Sequence, residues 1–284
     1  MYRALFVVVA FAALIGCKKK SEDAGPGGDA APTDTTAYTI KIAKRDKGTK
    51  WQITTEKTKS FTTSTKKEGT GTETEKEKQD YIETILASEN DKPTKLTRAY
   101  RYAQKAGKSG TYQDLPYSGK SVLIEKNGDL YTFTVDGRQL APREAEALLE
   151  EFKPTKRKNG AESDEEKWLP KAAVRIGEKW DIPTDEGDRA MEKATGRLTK
   201  AYRNKSGRQC GVITFEGEMT VPIEANKPSK VSLVFTRDGP IDGTSGETKI
   251  TSKITAKWKM TDPEHGEITA SMELTETKTA SAVE

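Results

Sequence analysis

From Ala37 to the end of the chain, apolar and polar residues mostly alternate, the period-two mark of half-buried strands. Tyr38, Ile40 and Ile42 alternate with polar neighbours, and Trp51 and Ile53 do so again beyond a Lys-Gly turn. Thr54 to Thr74 has little to bury but is rich in β-branched threonine, which favours extended backbone. It reads as exposed strand, with low-complexity loop as the alternative. Gln79 to Lys105 carries two signals. Tyr81, Ile82, Ile85 and Leu86 have helical spacing, yet Glu89 to Pro93 is turn chemistry and Leu96, Arg98, Tyr100 and Tyr102 alternate. A long hairpin is favoured over a helix followed by a strand. The clearest hairpin is Ser121 to Val135, where Val122 and Ile124 lead into Asn127-Gly128 and Tyr131, Phe133 and Val135 leave on one face. Asn-Gly suits a two-residue turn because both positions tolerate positive φ.

One stretch predicts a strong helix, Pro142 to Phe152, with proline at the first helical position and Ala145, Leu148, Leu149 and Phe152 as its stripe. The charged segment Lys153 to Lys167 is a natural linker. Beyond it come Trp168-Leu169-Pro170, then Val174, Ile176 and Gly177 leading to Trp180, and a short helix is expected over Asp185 to Ala194. Val212 to Val221 is a strand, and Val231, Leu233 and Phe235 mark another. Ile250, Ile254, Ala256, Trp258 and Met260 share one face of a long strand that turns at Asp262 to Gly266 into Ile268, Ala270, Met272 and Leu274. The expected fold is therefore mainly β with minor α: curved antiparallel sheets in two lobes, 37–152 and 168–284, with one or two short helices. The halves share a coarse plan but no residue-level repeat.

The start of the chain breaks this pattern. Arg3 precedes an uninterrupted apolar run from Ala4 to Ile15, and Leu14-Ile15-Gly16-Cys17 is followed at once by Lys18-Lys19-Lys20. The run is shorter than the roughly 20 residues of a spanning helix and has the layout of a cleavable export signal. Lys18 to Thr36 is rich in Gly, Pro, Ala, Asp and Thr, as a disordered tether is, with a reach on the order of 20–25 Å. A small residue directly before cysteine at the end of a short apolar core resembles the lipobox of bacterial lipoproteins. The resemblance implies cleavage between Gly16 and Cys17, a signal peptide over 1–16, and a lipidated amino terminus and tether over 17–36. It also implies diacylation, as with palmitate, of the Cys17 thiol. An ordinary secretory signal with an incidental cysteine is the alternative. Two or more acyl chains make a durable anchor, and each of Lys18 to Lys20 would add about 1 kcal/mol near an anionic leaflet. The expected location is the bacterial cell envelope, facing periplasm or exterior, on either membrane.

The 284 residues suffice for one large domain or two small ones. Hydrophobic content of 33%, charged content of 32% and a mean hydropathy of −0.78 describe a body sparing with its core, thin sheets with one wet face. The 48 basic and 44 acidic residues are interspersed, without the basic stripe of a nucleic-acid binder, so no nucleic-acid partner is expected. With Cys17 acylated, Cys210 lacks a partner in the chain and reads as a buried small hydrophobe in a strand.

Candidate chemistry is sparse. The one histidine, His265, sits in a turn-like Asp-Pro-Glu-His-Gly, too little for a serine or cysteine triad or a zinc site. Gly107-Lys108-Ser109 and Gly119-Lys120-Ser121 lack the upstream glycine of a phosphate loop, Tyr102 and Asp114 standing there instead. Ser64-Thr65-Lys66-Lys67 has the Ser-x-x-Lys spacing of penicillin-recognising enzymes but lies in an extended stretch. Glu144, Glu146, Glu150 and Glu151 fall mainly on the wet side of the predicted helix, and Glu162 to Glu166 is a charge run. Trp51, Trp168, Trp180 and Trp258 fit core positions, with a ligand cleft as the alternative. No catalytic residue, metal ligand or cofactor is expected.

The long meander, the single amphipathic helix and the anchor together resemble the half-barrel lipoproteins of the LolA and LppX groups. In those a curved antiparallel sheet faces short helices across an apolar hollow. Leu169-Pro170, Val174, Gly177 and Trp180 resemble the junction of two-lobed exported proteins, a likeness that implies no particular activity. The expected function is a membrane-anchored, non-enzymatic binding or structural module. Its partners would be membrane lipid through Cys17 and a hydrophobic ligand or an envelope protein. A lipid carrier is the alternative, and a carboxylate-based hydrolase the third reading.

Overall fold

The computed structural model describes residues 35–43, 46–89, 92–128, 130–152, 167–183, 191–224, 227–262 and 266–283. Cys17, His265 and the charged run 162–166 lie outside them. Thirteen strands join one antiparallel sheet: β1 (Lys50–Thr65), β2 (Gly69–Glu89), β3 (Lys92–Ala106), β4 (Tyr112–Asp114), β5 (Ser121–Asn127), β6 (Leu130–Val135) and β7 (Arg138–Gln139), then β8 (Lys179–Asp181), β9 (Met191–Arg203), β10 (Gln209–Glu224), β11 (Lys227–Pro240), β12 (Thr248–Asp262) and β13 (Gly266–Val283). One helix, α1 (Glu146–Glu151), separates the two groups. The order across the sheet is β7-β6-β5-β3-β2-β1-β13-β12-β11-β10-β9-β8, with β4 beside β3. Each half is thus a meander, and the first and last strands pair along their length, Lys50 opposite Val283 and Thr65 opposite Ile268. The sheet is curved and open, and its two free edges, β7 and β8, are consecutive in the chain.

Alternation explains most of these strands. Odd positions of β1 carry Trp51 and Ile53 to the buried inner face, while Ser60, Thr62 and Ser64 point outward. Their hydroxyls meet those of Thr74, Thr72 and Thr70 on β2 at 3.2, 3.0 and 3.0 Å. Cross-strand hydroxyl pairs of this kind are how a threonine-rich segment with nothing to bury still forms sheet. The hairpin reading of 79–105 stands: β2 and β3 pair antiparallel, and the helical spacing of Tyr81, Ile82, Ile85 and Leu86 loses to long-range pairing.

Three local expectations need correction. The helix is shorter than Pro142 to Phe152, because residues 142–145 form a turn in which the Glu144 carboxylate accepts from the Ala141 amide at 2.8 Å and from Arg138. In the β5–β6 hairpin Asn127 pairs with Leu130, so Asn127 ends β5 and does not enter the turn, and the positive φ of +62° falls on Gly128. Of the helix expected over Asp185 to Ala194, residues 191–194 are strand β9 and the rest lie outside the described residues. A turn the alternation did not flag joins β6 to β7: Asp136 (φ 51°) and Gly137 (φ 77°) make the two left-handed positions of a tight hairpin.

The inner face carries the core in three clusters. One, on β1–β3, β5 and β6, is roofed by Tyr117, Leu140, Ala145 and Leu148. A second, on β9 and β10, is roofed by Ile40, Val174, Ile182 and Ile241, with Tyr38 and Trp168 alongside. Tyr38 and Val174 exchange backbone hydrogen bonds of 2.8 and 2.9 Å there. The third comprises Met219, Val221, Val231, Leu233, Ile254 and Ala256, with Trp258 and Leu274 against it, all from adjacent strands of the sheet itself.

Candidate functional site

Residues in register on an antiparallel ladder present their side chains to one face, so the inner face reads as rows. The middle row runs Glu77, Lys57, Glu276, Ser252, Phe235, Phe215, Gly196 from β2 to β9. It is ionic at one end and aromatic at the other. The row nearer the Trp51 end, here the upper side, runs Gln79, Thr55, Lys278, Ile250 and Arg237. Below the middle row, Lys59 and Leu274 lead to Phe61 and Met272, then to Ala270 beside Trp258.

At the ionic end a buried arginine ties the helix to the sheet. Arg98 on β3 and Glu83 on β2 are 3% exposed each. Arg98 Nε donates to Glu83 Oε2 at 2.9 Å, and Nη1 and Nη2 donate to the two oxygens of Glu151 at 2.6 and 2.7 Å. The guanidinium lies 4.6 Å from the Tyr81 ring and 4.9 Å from Phe152, stacked between sheet and helix end. Tyr81, Tyr100 and Tyr117 continue the packing at 4.9 Å spacings. Such bidentate, stacked geometry is specific to arginine.

Electrostatics separates the carboxylates here. Burial alone would raise Glu151, but the Arg98 guanidinium, with Lys278 and Lys57 beyond it, holds its carboxyl down to about 2. Glu276 goes the other way: burial pushes its carboxyl above the ordinary range, and Glu151 and Glu77 add to that against Lys278 and Lys57. Burial also raises the Tyr81 and Tyr117 hydroxyls. Burial lowers the Lys59 ammonium, against Glu75 and Glu150.

The aromatic end is a packing site. Trp180 faces Gly196 in register, and a Cβ on Gly196 would stand 2.2 Å from the indole. Trp180 Nε1 donates to the Trp168 carbonyl at 2.8 Å, and Trp168 packs on Phe215 and Phe235 at 5.8 and 6.2 Å. Trp51 is 6% exposed in the first cluster. These three tryptophans are core. Trp258 lies lower, 5.8 Å from Phe61.

Of the residues read from sequence, Cys210 is buried and its thiol is raised by burial, as expected of a small hydrophobe. Lys108 and Lys120 sit in turns and pair with Glu73 and Asp136, and Ser64 is in strand, so none of the three chance motifs forms its loop or helix. Glu151 keeps a partly wet side chain, as expected, yet its carboxylate turns onto Arg98, because α1 is only six residues long and its last turn faces that residue. The ionic cluster as a whole was missed. Its one legible trace was Arg98 standing inside the alternation of Leu96 and Tyr100, where an apolar residue belongs. Tyr102, assigned to the same face, points outward instead, because a bulge at Arg101 shifts the register between Tyr100 and Tyr102.

Among the described residues no three His, Cys, Asp or Glu side chains gather as a metal site would require. No helix among them is long and apolar enough to cross a membrane, which says nothing of strands. No family model matches the chain, and no curated protein matches it. Among solved structures the chain is similar to one from the crystal structure of MucB in complex with MucA(peri), at 9% identity over 77% of this chain and 88% of that one. The TM-score of that likeness is 0.11, too slight to carry an argument.

Proposed function

We propose that this chain is a membrane-anchored lipoprotein of the bacterial envelope, moored through Cys17, and that its folded body is a non-enzymatic binding module working through the inner face of the open sheet. The observation that carries the binding reading is the third cluster. Its six buried apolar residues come from β10, β11 and β12 alone, and no described residue from a second layer is among its members or its partly buried neighbours. Three of the five methionines, Met219, Met260 and Met272, stand on this face, and methionine surfaces adapt to varied apolar shapes. The non-enzymatic reading is supported by the ionic end, where Arg98 engages both Glu83 and Glu151 and ties helix to sheet.

The same cluster favours one refinement, a lipid or other hydrophobic ligand as the molecule bound. Native mass spectrometry of the full chain purified from membranes tests it: a co-purifying hydrophobe is expected, and protein of bare mass counts against it. The anchor is tested separately by metabolic labelling with a palmitate analogue. Label should be lost in Cys17→Ser, and an unlabelled wild type would remove the envelope assignment.

A further inference from the structure

The ionic end of the inner face mixes cations and carboxylates. Arg98, Lys57, Lys59, Lys278 and Lys105, the last in register with Glu77, stand among Glu77, Glu83, Glu151 and Glu276. Low-dielectric surroundings make a charge without a directly bonded partner costly, and a carboxyl group relieves it by keeping a proton. Glu276 is placed to be that group. From β1 it faces Lys57, from β2 Glu77, from its own strand Lys278, and from α1 Glu151, while β12 offers only uncharged Ser252. Glu83 and Glu151 already hold Arg98 by direct hydrogen bonds.

We propose that Glu276 is a proton-operated control on how firmly α1 sits on the sheet. Glu151 is the polar contact that fastens α1 to the sheet, beside the apolar seats of Leu148 and Phe152. Lys57 and Lys278 act on Glu151 and on Glu276 alike. With Glu276 protonated, both lysines serve Glu151 and the helix is held. With Glu276 ionised, it draws on the same two lysines and repels Glu151, and the helix loosens. A group that holds its proton more tightly when the helix is seated must, by linkage, make seating weaker as pH rises through its folded midpoint.

Two readouts on the full chain test this: carbon NMR of labelled glutamate carboxyls, and hydrogen exchange at the Leu149 and Phe152 amides, corrected for the intrinsic pH dependence of exchange. These amides donate within α1 to Ala145 and Leu148 at 2.7 and 2.9 Å. The Glu276 midpoint should lie above the ordinary carboxylate range. Protection of α1 should fall roughly fivefold as pH rises through it, the low end of typical coupling between sites. Glu276→Gln should remove that step and keep α1 at its protected level. Glu151→Gln should lower the Glu276 midpoint by removing the like charge, and Lys57→Met should raise it, so one of the two carries the test if the other fails to fold. An ordinary Glu276 midpoint, a step that persists in Glu276→Gln, or a midpoint unmoved in the folded partner variant would each overturn the proposal.

Discussion

On the upper inner face, side chains are covered by something other than the sheet: α1 and the 115–119 turn at one end, the 38–41 and 168–182 segments at the other. On the lower face, Met219, Leu233, Ile254 and their neighbours are covered by one another across adjacent strands of one curved sheet. Both regions bury apolar side chains, but the upper one is richer in aromatic rings and the architecture differs. A second layer fixes its partners through specific contacts, here a bidentate ion pair and an indole laid over a glycine. Side-by-side burial within one layer has no such fixed partner, and it leaves room for another apolar surface to join. Rigidity should therefore concentrate above the middle row and tolerance below it.

The largest effect should come from breaking the upper layer at its buried charge. Arg98→Met leaves Glu83 inside without its cation, and removing one partner of a buried pair typically costs about 3–5 kcal/mol. Denaturant unfolding should show that loss, whereas Lys253→Ala, which breaks the half-exposed pair with Glu273 on the outer face, should cost less than about 1 kcal/mol. The pH dependence supplies a sign. Glu151 is held below its unfolded value, so its contribution is present above the ordinary carboxylate range and is lost as pH falls toward about 2. In Arg98→Met that part of the acid limb should flatten. Equal losses in Arg98→Met and Lys253→Ala would end the distinction between the buried pair and a surface one.

The next effect tests the other end of the same layer. Gly196→Ala places a Cβ 2.2 Å from the Trp180 indole, and overpacking of this kind costs about 1–3 kcal/mol. Trimming the indole, as Trp180→Leu in the same chain, should recover part of the loss. Below the middle row, Met219→Leu keeps volume and should cost less than about 1.5 kcal/mol, because no second layer among the described residues fixes a particular shape there. Thermal unfolding of the three variants checks the order.

These two regions also differ in how plainly the sequence announced them. Strand alternation is a local property, and it was enough to place β5, β6, β12 and β13 and to favour the β2–β3 hairpin, but it ran Thr54 to Thr74 as one strand across the turn at 66–68 that divides β1 from β2. Which residues roof the sheet depends on contacts far apart in the chain, such as Glu151 with Arg98, 53 positions away, and alternation carries no trace of them. Arg98 was visible as a charge on an apolar face, but its partners were not, since glutamates are plentiful and only the docking of a short helix selects one. The helix itself was overread, because Pro142 suits a turn as well as a first helical position and the Glu144 carboxylate settles for the turn. Glu276 escaped notice for the reverse reason: in a row of Glu, Lys and Thr it reads as surface until β1, β2 and α1 close around it.

The smallest perturbation reads the comparison as a rate. Cys210 is 2% exposed on β10, but its register with Tyr202 and Pro240 puts it on the outer face, opposite to that of Gly211 and Ile213. With Cys17→Ser and Cys210→Ala clearing the native thiols, Ile213→Cys places one beneath the upper layer, where a thiol reagent should react only as that layer opens, close to the rate of global unfolding. Moving that thiol, as Met219→Cys in the same background, puts it on the lower face, where Met219 is 8% exposed. Opening there displaces no roof of described residues, so sub-global motion suffices and labelling should be faster in the absence of denaturant. Both rates must be compared at one pH and corrected for each thiolate's ionisation. Matching rates after that correction would mean that the lower cluster opens only with the whole sheet, and the contrast between layered and single-sheet burial would have no dynamic consequence.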